Sequence, residues 1–510
     1  MMWYDYLGFL RNSFFLRVNY QYFYIKIKIE FMTWYKRFFL AATLLSGCTA
    51  LHAKVEMPSF FSDNMVLQQK AKVALWGTAT GKKVTITTSW TKEKTVAVPD
   101  AEGKWFVRLE TPQAGGPYEL YINDGERKVI RNVLIGEVWF CSGQSNMDMP
   151  MRGWKGQPIE HSTEFIMTAR PELPVRIIDF HNTKSKTPIF TTDANWKEHT
   201  PETVYNASAT AYFFARKLQE ILQIPVGIIT ADWGGSSIEA WMSREILEKD
   251  FAGEFNTAQL DTTDIEKLNQ KSPSVLYNGM LSPLFPFTFK GILWYQGEAN
   301  RGRHKQYERL QPRFAQMLRD EFMNPEAPFY FVQIAPHKYG DPDGFKSGYF
   351  YESQQKTLSL IPRSGMAPTV DIGDYNFIHP PKKKEVGERL AMLALVNDYG
   401  LQGVNPVAPT YESVEFKDGK AIVRINTDTG VGLIPAKVPV GGFEIAGSDR
   451  IFHKAAAEAL GNEVTVSSQE VRNPVAVRYC FRAWGQGSLY NSNGIPLLPF
   501  RTDDWDDLSK

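Results

Sequence analysis

The feature that most constrains this chain is a change of rhythm after Val133. From there to about residue 402, short apolar runs alternate with amphipathic runs of helix length. The strand-like runs are Glu137–Cys141, Val226–Ala231, Gly291–Tyr295, Phe329–Gln333 and Met366–Asp371. The helix-like runs are Ala209–Leu222, Gln306–Phe322, Tyr351–Ser359 and Lys384–Tyr399. Strand–helix alternation predicts a mostly parallel sheet covered on both faces, hence an α/β layer architecture. In such sheets ligands gather beyond the carboxyl ends of the strands. On either side the pattern is different. Residues 54–135 hold short alternating runs (Lys72–Trp76, Lys83–Thr88, Trp105–Leu109, Tyr118–Ile122) separated by glycine- and asparagine-rich turns. Short strands return after 403 at Ser413–Phe416, Ala421–Ile425, Gly441–Ile445, Glu463–Ser467 and Val475–Phe481. Many short strands with regular turns predict β-sandwich modules. The expected division is therefore a β-sandwich module over 54–135, an α/β domain over 136–402 and a β module over 403–510.

The 510 residues suit two or three such units. The formal net charge of +1 supplies no field that would recruit nucleic acid or an anionic membrane. The eight histidines show neither an HxH nor an HExxH spacing, so no metal and no cofactor is expected. Cys141 and Cys480 read as two buried thiols, with a disulfide between them not deducible from sequence. At the N-terminus, Met32 followed by Lys36, Arg37 and the apolar run Phe38–Leu45 reads as a signal peptide. Residues 1–31 then read as a mis-called extension and 32–53 as the signal. Two exits remain open. Leu45-Ser46-Gly47-Cys48 resembles a lipobox, which would lipidate Cys48 and give the only membrane contact. Cleavage after Ala53 would release a soluble protein. Both predict export, to the periplasm or beyond.

Four segments carry chemistry, and each follows a predicted strand. Gly143-Gln144-Ser145-Asn146-Met147 holds a serine at a strand-to-helix turn, where a hydroxyl is exposed and the serine's own N–H can face a developing oxyanion. The same sequence also suits a plain helix cap. In Trp233-Gly234-Gly235-Ser236-Ser237 the two glycines leave amides unshielded. Trp294-Tyr295-Gln296-Gly297-Glu298-Ala299-Asn300 brings an amide, a carboxylate and a second amide to one strand end. Ile378-His379-Pro380 holds an imidazole rigidly just before a helix, where it can act as general base and then general acid. All four fall on one edge of one sheet, and that joint placement points to nucleophilic acyl chemistry.

At these residues the chain resembles the SGNH (GDSL-like) hydrolases and, within them, the sialate O-acetylesterase family, which is related to acetylxylan esterases. The resemblance runs from about Val55. It includes Phe61–Gln69, Gly136–Met147, Trp233–Trp241, Leu276–Met280, Trp294–Asn300 and His379-Pro380 with Val386–Leu390. It implies a three-layer SGNH hydrolase domain flanked by β-sandwich modules, and an O-acetylated sugar as substrate. It also implies roles: Ser145 as nucleophile, His379 as base, and an oxyanion hole from Ser145, Gly234 or Gly235 and, in preference to Asn300, Gln296. Many relatives in the wider group carry Asp three residues before the histidine; here that residue is Asn376. The acid is therefore expected to be Glu298, with Asp374 and Asp371 as fallbacks. Gln144, Asn146, Trp233, Asn300 and Arg301 are the expected substrate contacts. Arg301 and Arg303 are the candidate cations for a sialic acid carboxylate, which a neutral glycan such as xylan would not require. The rival from another class is a carbohydrate-binding protein with a decayed hydrolase domain. A lipase is disfavoured, since no long apolar lid segment follows the signal.

Overall fold

The computed structural model describes residues 54–427 and 432–506. The signal segment and Cys48 lie outside the described residues. Val55–Lys510 forms one unit, built around a ten-stranded sheet. Its strands in chain order begin with β1 (Val66–Gln68), β2 (Lys72–Thr78), β3 (Val84–Thr88), β4 (Lys94–Ala97), β5 (Lys104–Glu110), β6 (Gly115–Asn123) and β7 (Arg127–Gly143). They continue with β8 (Val175–Asp179), β9 (Val226–Asp232), β10 (Gly291–Tyr295), β11 (Phe329–Val332) and β12 (Ser364–Ala367).

The 17-residue β7 belongs to two architectures at once. Its first half pairs antiparallel with β6, and through it with β3 and β4, while β2 and β5 form a separate antiparallel ribbon. Its second half lies parallel between β9 and β10. The parallel order is β8-β9-β7-β10-β11-β12, as strand–helix alternation predicts. No linker separates the first module from the hydrolase part near 135; the chain crosses inside one strand.

Alternation along the parallel strands sends side chains to two cores, because successive residues of a strand face opposite ways. Val138, Phe140, Ile292, Trp294, Phe329 and Phe331 face one core, and Trp139, Cys141, Leu293, Tyr295, Tyr330 and Val332 the other. Burying each large side chain of this kind contributes about 1.5–3 kcal/mol, so both faces of the sheet must be covered. Helices cover them. After the short α1 (Ser145–Asp148) come α2 (Ala209–Leu222), α3 (His304–Glu321), α4 (Lys346–Leu360) and α5 (Lys383–Asn397). Leu310, Phe314 and Leu318 of α3 fill the first core; Tyr212 and Leu218 of α2 with Leu390 and Ala394 of α5 fill the second. Cys141 and Cys480 are buried free thiols. After Thr410, five- and four-stranded antiparallel sheets enclose a third core of Val423, Val464, Ile445 and Val477. The two β modules share no sheet among the described residues.

The segment Phe61–Gln69 is a clamp rather than a site. Gln68 and Gln69 donate from Nε2 to the buried Glu137 carboxylate (3.1 and 2.6 Å), and Tyr399 donates its hydroxyl to the same group (2.8 Å). This ties the first module to the start of the catalytic strand. Among the described residues no helix is long and apolar enough to cross a membrane.

Candidate active site

Register places the chemistry. Tyr295, Gly143 and Asp232 stand side by side at the ends of β10, β7 and β9. The chain after each strand therefore opens on the same edge. Gly143 turns there at φ +150°, and its neighbour Gln144 donates its N–H to the Tyr295 carbonyl at 2.9 Å. Gln144 then accepts on Oε1 from Gln296 Nε2 (3.2 Å) and from the amides of Gly297 (3.3 Å) and Ala299 (3.2 Å). Ser145 opens α1, half-buried, and neither its hydroxyl nor its amide has a hydrogen-bond partner among the described residues. An unbonded amide at a helix start is available to an anion.

Gly234 packs on the serine. A Cβ on Gly234 would lie 3.5 Å from the Ser145 Cβ. The Trp233–Ser236 turn closes through Ser236 N–H to Trp233 O at 3.2 Å, with Gly235 at φ +73°, a conformation that favours glycine. The Gly234 amide already donates to Asp148 Oδ2 (3.2 Å), so the unbonded amide of the pair belongs to Gly235. Burial, with Asp179 nearby, raises the Asp148 carboxyl to about 6; Asp232 beneath it is pushed up further by burial and by both aspartates.

The imidazole of His379 packs edge-on against Trp154 (4.7 Å) and its Nδ1 bonds Gln157 Oε1 at 2.8 Å. The amide oxygen only accepts, so Nδ1 carries the hydrogen and Nε2 is left as a base. Burial, with the charges of Lys383 and His337, lowers this imidazole to about 4.

Here the structure corrects several expectations. Glu298 does not orient His379. It is buried, its Oε1 accepts from Asn146 Nδ2 at 2.5 Å, and Gln157 occupies the place expected for the acid. Asp371 is held by Arg389 in a two-point ion pair (2.9 and 2.7 Å), and Asp374 Oδ1 accepts the amides of Asn376 and Phe377, fixing the loop before His379. Gln296 is wholly buried and its Nε2 lies within bonding distance of Gln144 Oε1, Ser236 O and Asn300 Oδ1. It is a brace, with no hydrogen left for an oxyanion. Gln144, Asn146 and Asn300 are 3%, 0% and 0% exposed, so they frame the site and do not face substrate. Trp233 and Arg301 stay half-exposed. Arg303 is spent on Glu239 (2.6 Å). Gln157 lay beyond sequence reasoning, because nothing around Gly156-Gln157-Pro158 marks a functional glutamine. Among the described residues no cluster of histidine, cysteine or carboxylate side chains could hold a metal ion.

Asn146, next to the serine, donates from Nδ2 to the Ile378 carbonyl (3.2 Å), next to the half-buried His379, so the serine turn and the histidine loop meet at one side chain, an arrangement suited to acyl transfer. The model of the carbohydrate esterase family described as sialic acid-specific acetylesterase matches residues 135–395. The chain belongs to this family. Sialate O-acetylesterase of Pongo abelii is 28% identical over 488 residues, covering 87% of this chain and 91% of the relative. The human sialate O-acetylesterase is 28% identical over 491 residues, with the same coverage. A crystal structure of a carbohydrate acetylesterase from Xanthomonas citri superposes with a TM-score of 0.78 at 33% identity, covering 89% of this chain and all of that one. This chain is accordingly a carbohydrate esterase. The family match begins inside β7 and ends inside α5, the two elements that deliver the serine turn and close the histidine loop.

Proposed function

We propose that this esterase removes O-acetyl groups from sialic acid, with Ser145 as nucleophile and His379 as base. The observation that supports the catalytic part is that Asn146, which follows the unbonded Ser145, donates to the carbonyl just before His379 (3.2 Å), an imidazole whose Nδ1 is already committed to Gln157. Ser145 Oγ attacks the acetyl carbonyl carbon and its proton passes to His379 Nε2. The carbonyl oxygen gains the negative charge beside the Ser145 and Gly235 amides. The C–O bond to the sugar breaks, and the imidazolium returns the proton to the departing sugar oxygen. Water then attacks the acetyl-serine ester, giving its proton to His379, which passes it back to Ser145 as acetate leaves. The acid partner of the usual triad is replaced here by the Gln157 amide, which fixes the tautomer without adding charge. The apolar run Phe38–Leu45 after Lys36 and Arg37 supports the further reading that the enzyme is exported and works outside the cytoplasm.

Sialic acid is favoured over a neutral glycan by Arg301. Its guanidinium lies over the Tyr339 ring (4.3 Å) and donates to Ser347 Oγ (3.3 Å), and no carboxylate pairs with it among the described residues. Tyr339 in turn packs against His337 (5.0 Å), whose Nδ1 bonds the Asp374 carbonyl (3.2 Å), so the cation borders the loop that leads to His379. Acetate release should be measured from O-acetylated sialic acid and from acetylated xylan side by side. Arg301→Gln is expected to lower kcat/KM on the sialic acid by roughly 10–100-fold while leaving a neutral chromogenic acetyl ester within about threefold. Release from xylan alone would move the substrate to neutral glycans and keep the mechanism.

The half-buried imidazole also sets a pH dependence. Because its affinity for a proton is lowered, His379 stays a neutral base as pH falls below its ordinary value of 6.5. The acid limb of kcat/KM is expected below 6, toward about 4, in a pH series on a chromogenic acetyl ester. A limb at 6.5 would show that His379 is not held as described.

A further inference from the structure

One buried charge is left without a part in this chemistry. Lys383, the first residue of α5, is wholly buried. A lysine in that position costs several kcal/mol in lost hydration unless its surroundings offset it. Three groups face it: the Tyr295 ring from β10 at 5.5 Å, the Glu298 carboxylate from the turn after β10, and His379 from its own segment. Its Nζ donates to Asn146 Oδ1.

The Asn146 amide is where the site is joined. Its residue follows the serine. Its Nδ2 gives one hydrogen to Glu298 Oε1 (2.5 Å) and one to the Ile378 carbonyl (3.2 Å), immediately before His379. An asparagine amide can turn end for end, and only its partners decide which end is which. Two acceptors at Nδ2 set which end is which, and they hold the amide from that end only. The ammonium at Oδ1 holds the other end, so the amide is gripped from both sides.

We propose that Lys383 is a positioning residue of the esterase, whose ammonium fixes the Asn146 amide and through it the spacing of the Ser145 turn, Glu298 and the backbone that carries His379. This rests on Ser145 and His379 being the reacting pair. Burial lowers the Lys383 ammonium to about 7 against the favourable charge of Glu298. Above that pH the cation is lost first, the hold on Asn146 weakens, and turnover falls on the alkaline side.

The test compares Lys383→Met and Lys383→Arg with the unaltered enzyme on a chromogenic acetyl ester between pH 5 and 10, with melting curves alongside and Ser145→Ala as control. The methionine variant is expected to lose at least about 30-fold in kcat with KM within about threefold. The arginine variant, which keeps its charge throughout this range, is expected to recover most of that loss and to lack the alkaline fall. A folded methionine variant with kcat within threefold of the original overturns the proposal, as does an arginine variant with an unchanged alkaline limb. Should the methionine variant not fold, the arginine variant's pH profile decides. If Ser145→Ala retains full turnover, the reading of the site itself fails. If Ser145→Ala is inactive while both lysine variants behave as the original, the positioning role alone fails.

Discussion

Ser145→Ala is expected to cut kcat on an O-acetylated sugar by at least about 10³-fold while leaving the melting temperature within about 2 °C. The two halves of this expectation have separate causes. The loss of rate follows from removing the atom that forms the acetyl intermediate, since the unbonded amides and the imidazole that remain can only assist a poorly placed water. The unchanged stability follows because the Ser145 hydroxyl holds nothing in place. It has no hydrogen bond among the described residues, and the turn is kept by Gln144, Asn146 and Gly143 instead. Acetate release and a thermal melt on the same sample check both halves. An active alanine variant would move the nucleophile elsewhere; an unstable one would mean that the hydroxyl does bear on the fold.

The second large effect is expected at Gly143. A methyl group there would lie 2.1 Å from the Tyr295 carbonyl oxygen, which belongs to the neighbouring strand and cannot rotate away. The backbone at φ +150° resists an L side chain as well. Gly143→Ala is therefore expected to destabilise by about 3 kcal/mol or more, and any folded fraction should be inactive, because relief of the clash moves the serine turn away from β10. Gly156→Ala is the matched control. Its φ of +75° also suits glycine, but nothing lies within 4 Å of the added carbon. A cost of only about 1–2 kcal/mol is expected there. Urea denaturation of both variants separates collision from backbone strain. Equal costs at the two positions would show that the strand ends can part freely.

The sequence made the layer plan legible because parallel strands buried on both faces read as continuous apolar runs. Four of the six parallel strands lie where those runs predict them, and a fifth, Ser364–Ala367, starts two residues before the run Met366–Asp371 and ends four before it does. The sixth, Val175–Asp179, hides because Arg176 interrupts its apolar pattern; in the fold that arginine is buried and paired with Glu198 at 3.0 Å. The candidate site was legible in its placement and less so in its roles. Sequence order brings Gln296, Glu298 and Asn300 to the right strand end, but it does not tell a polar side chain that faces the cleft from one that staples two turns beneath it. Burial decides that, and it assigns Gln296, Asn300 and Gln144 to the staples. Glu298 was the natural choice to orient His379 by charge. Asn146 intervenes, and an uncharged glutamine from a loop more than 220 residues upstream takes the contact.

The long strand β7 has a consequence for anyone who wants to dissect or re-engineer this enzyme. Its first half is hydrogen-bonded into the N-terminal module, its middle lies against β1, and its last residue is the glycine that sets the serine. Trimming the N-terminal module would strip the pairing partners from the first half of the beam on which the nucleophile is mounted. The module is therefore not a detachable accessory that could be swapped for another binding unit. Any such graft would have to supply its own strand in register with Leu134–Gly136, or leave the first half of β7 unpaired with β9 and β10 alone holding the half that carries the catalytic turn.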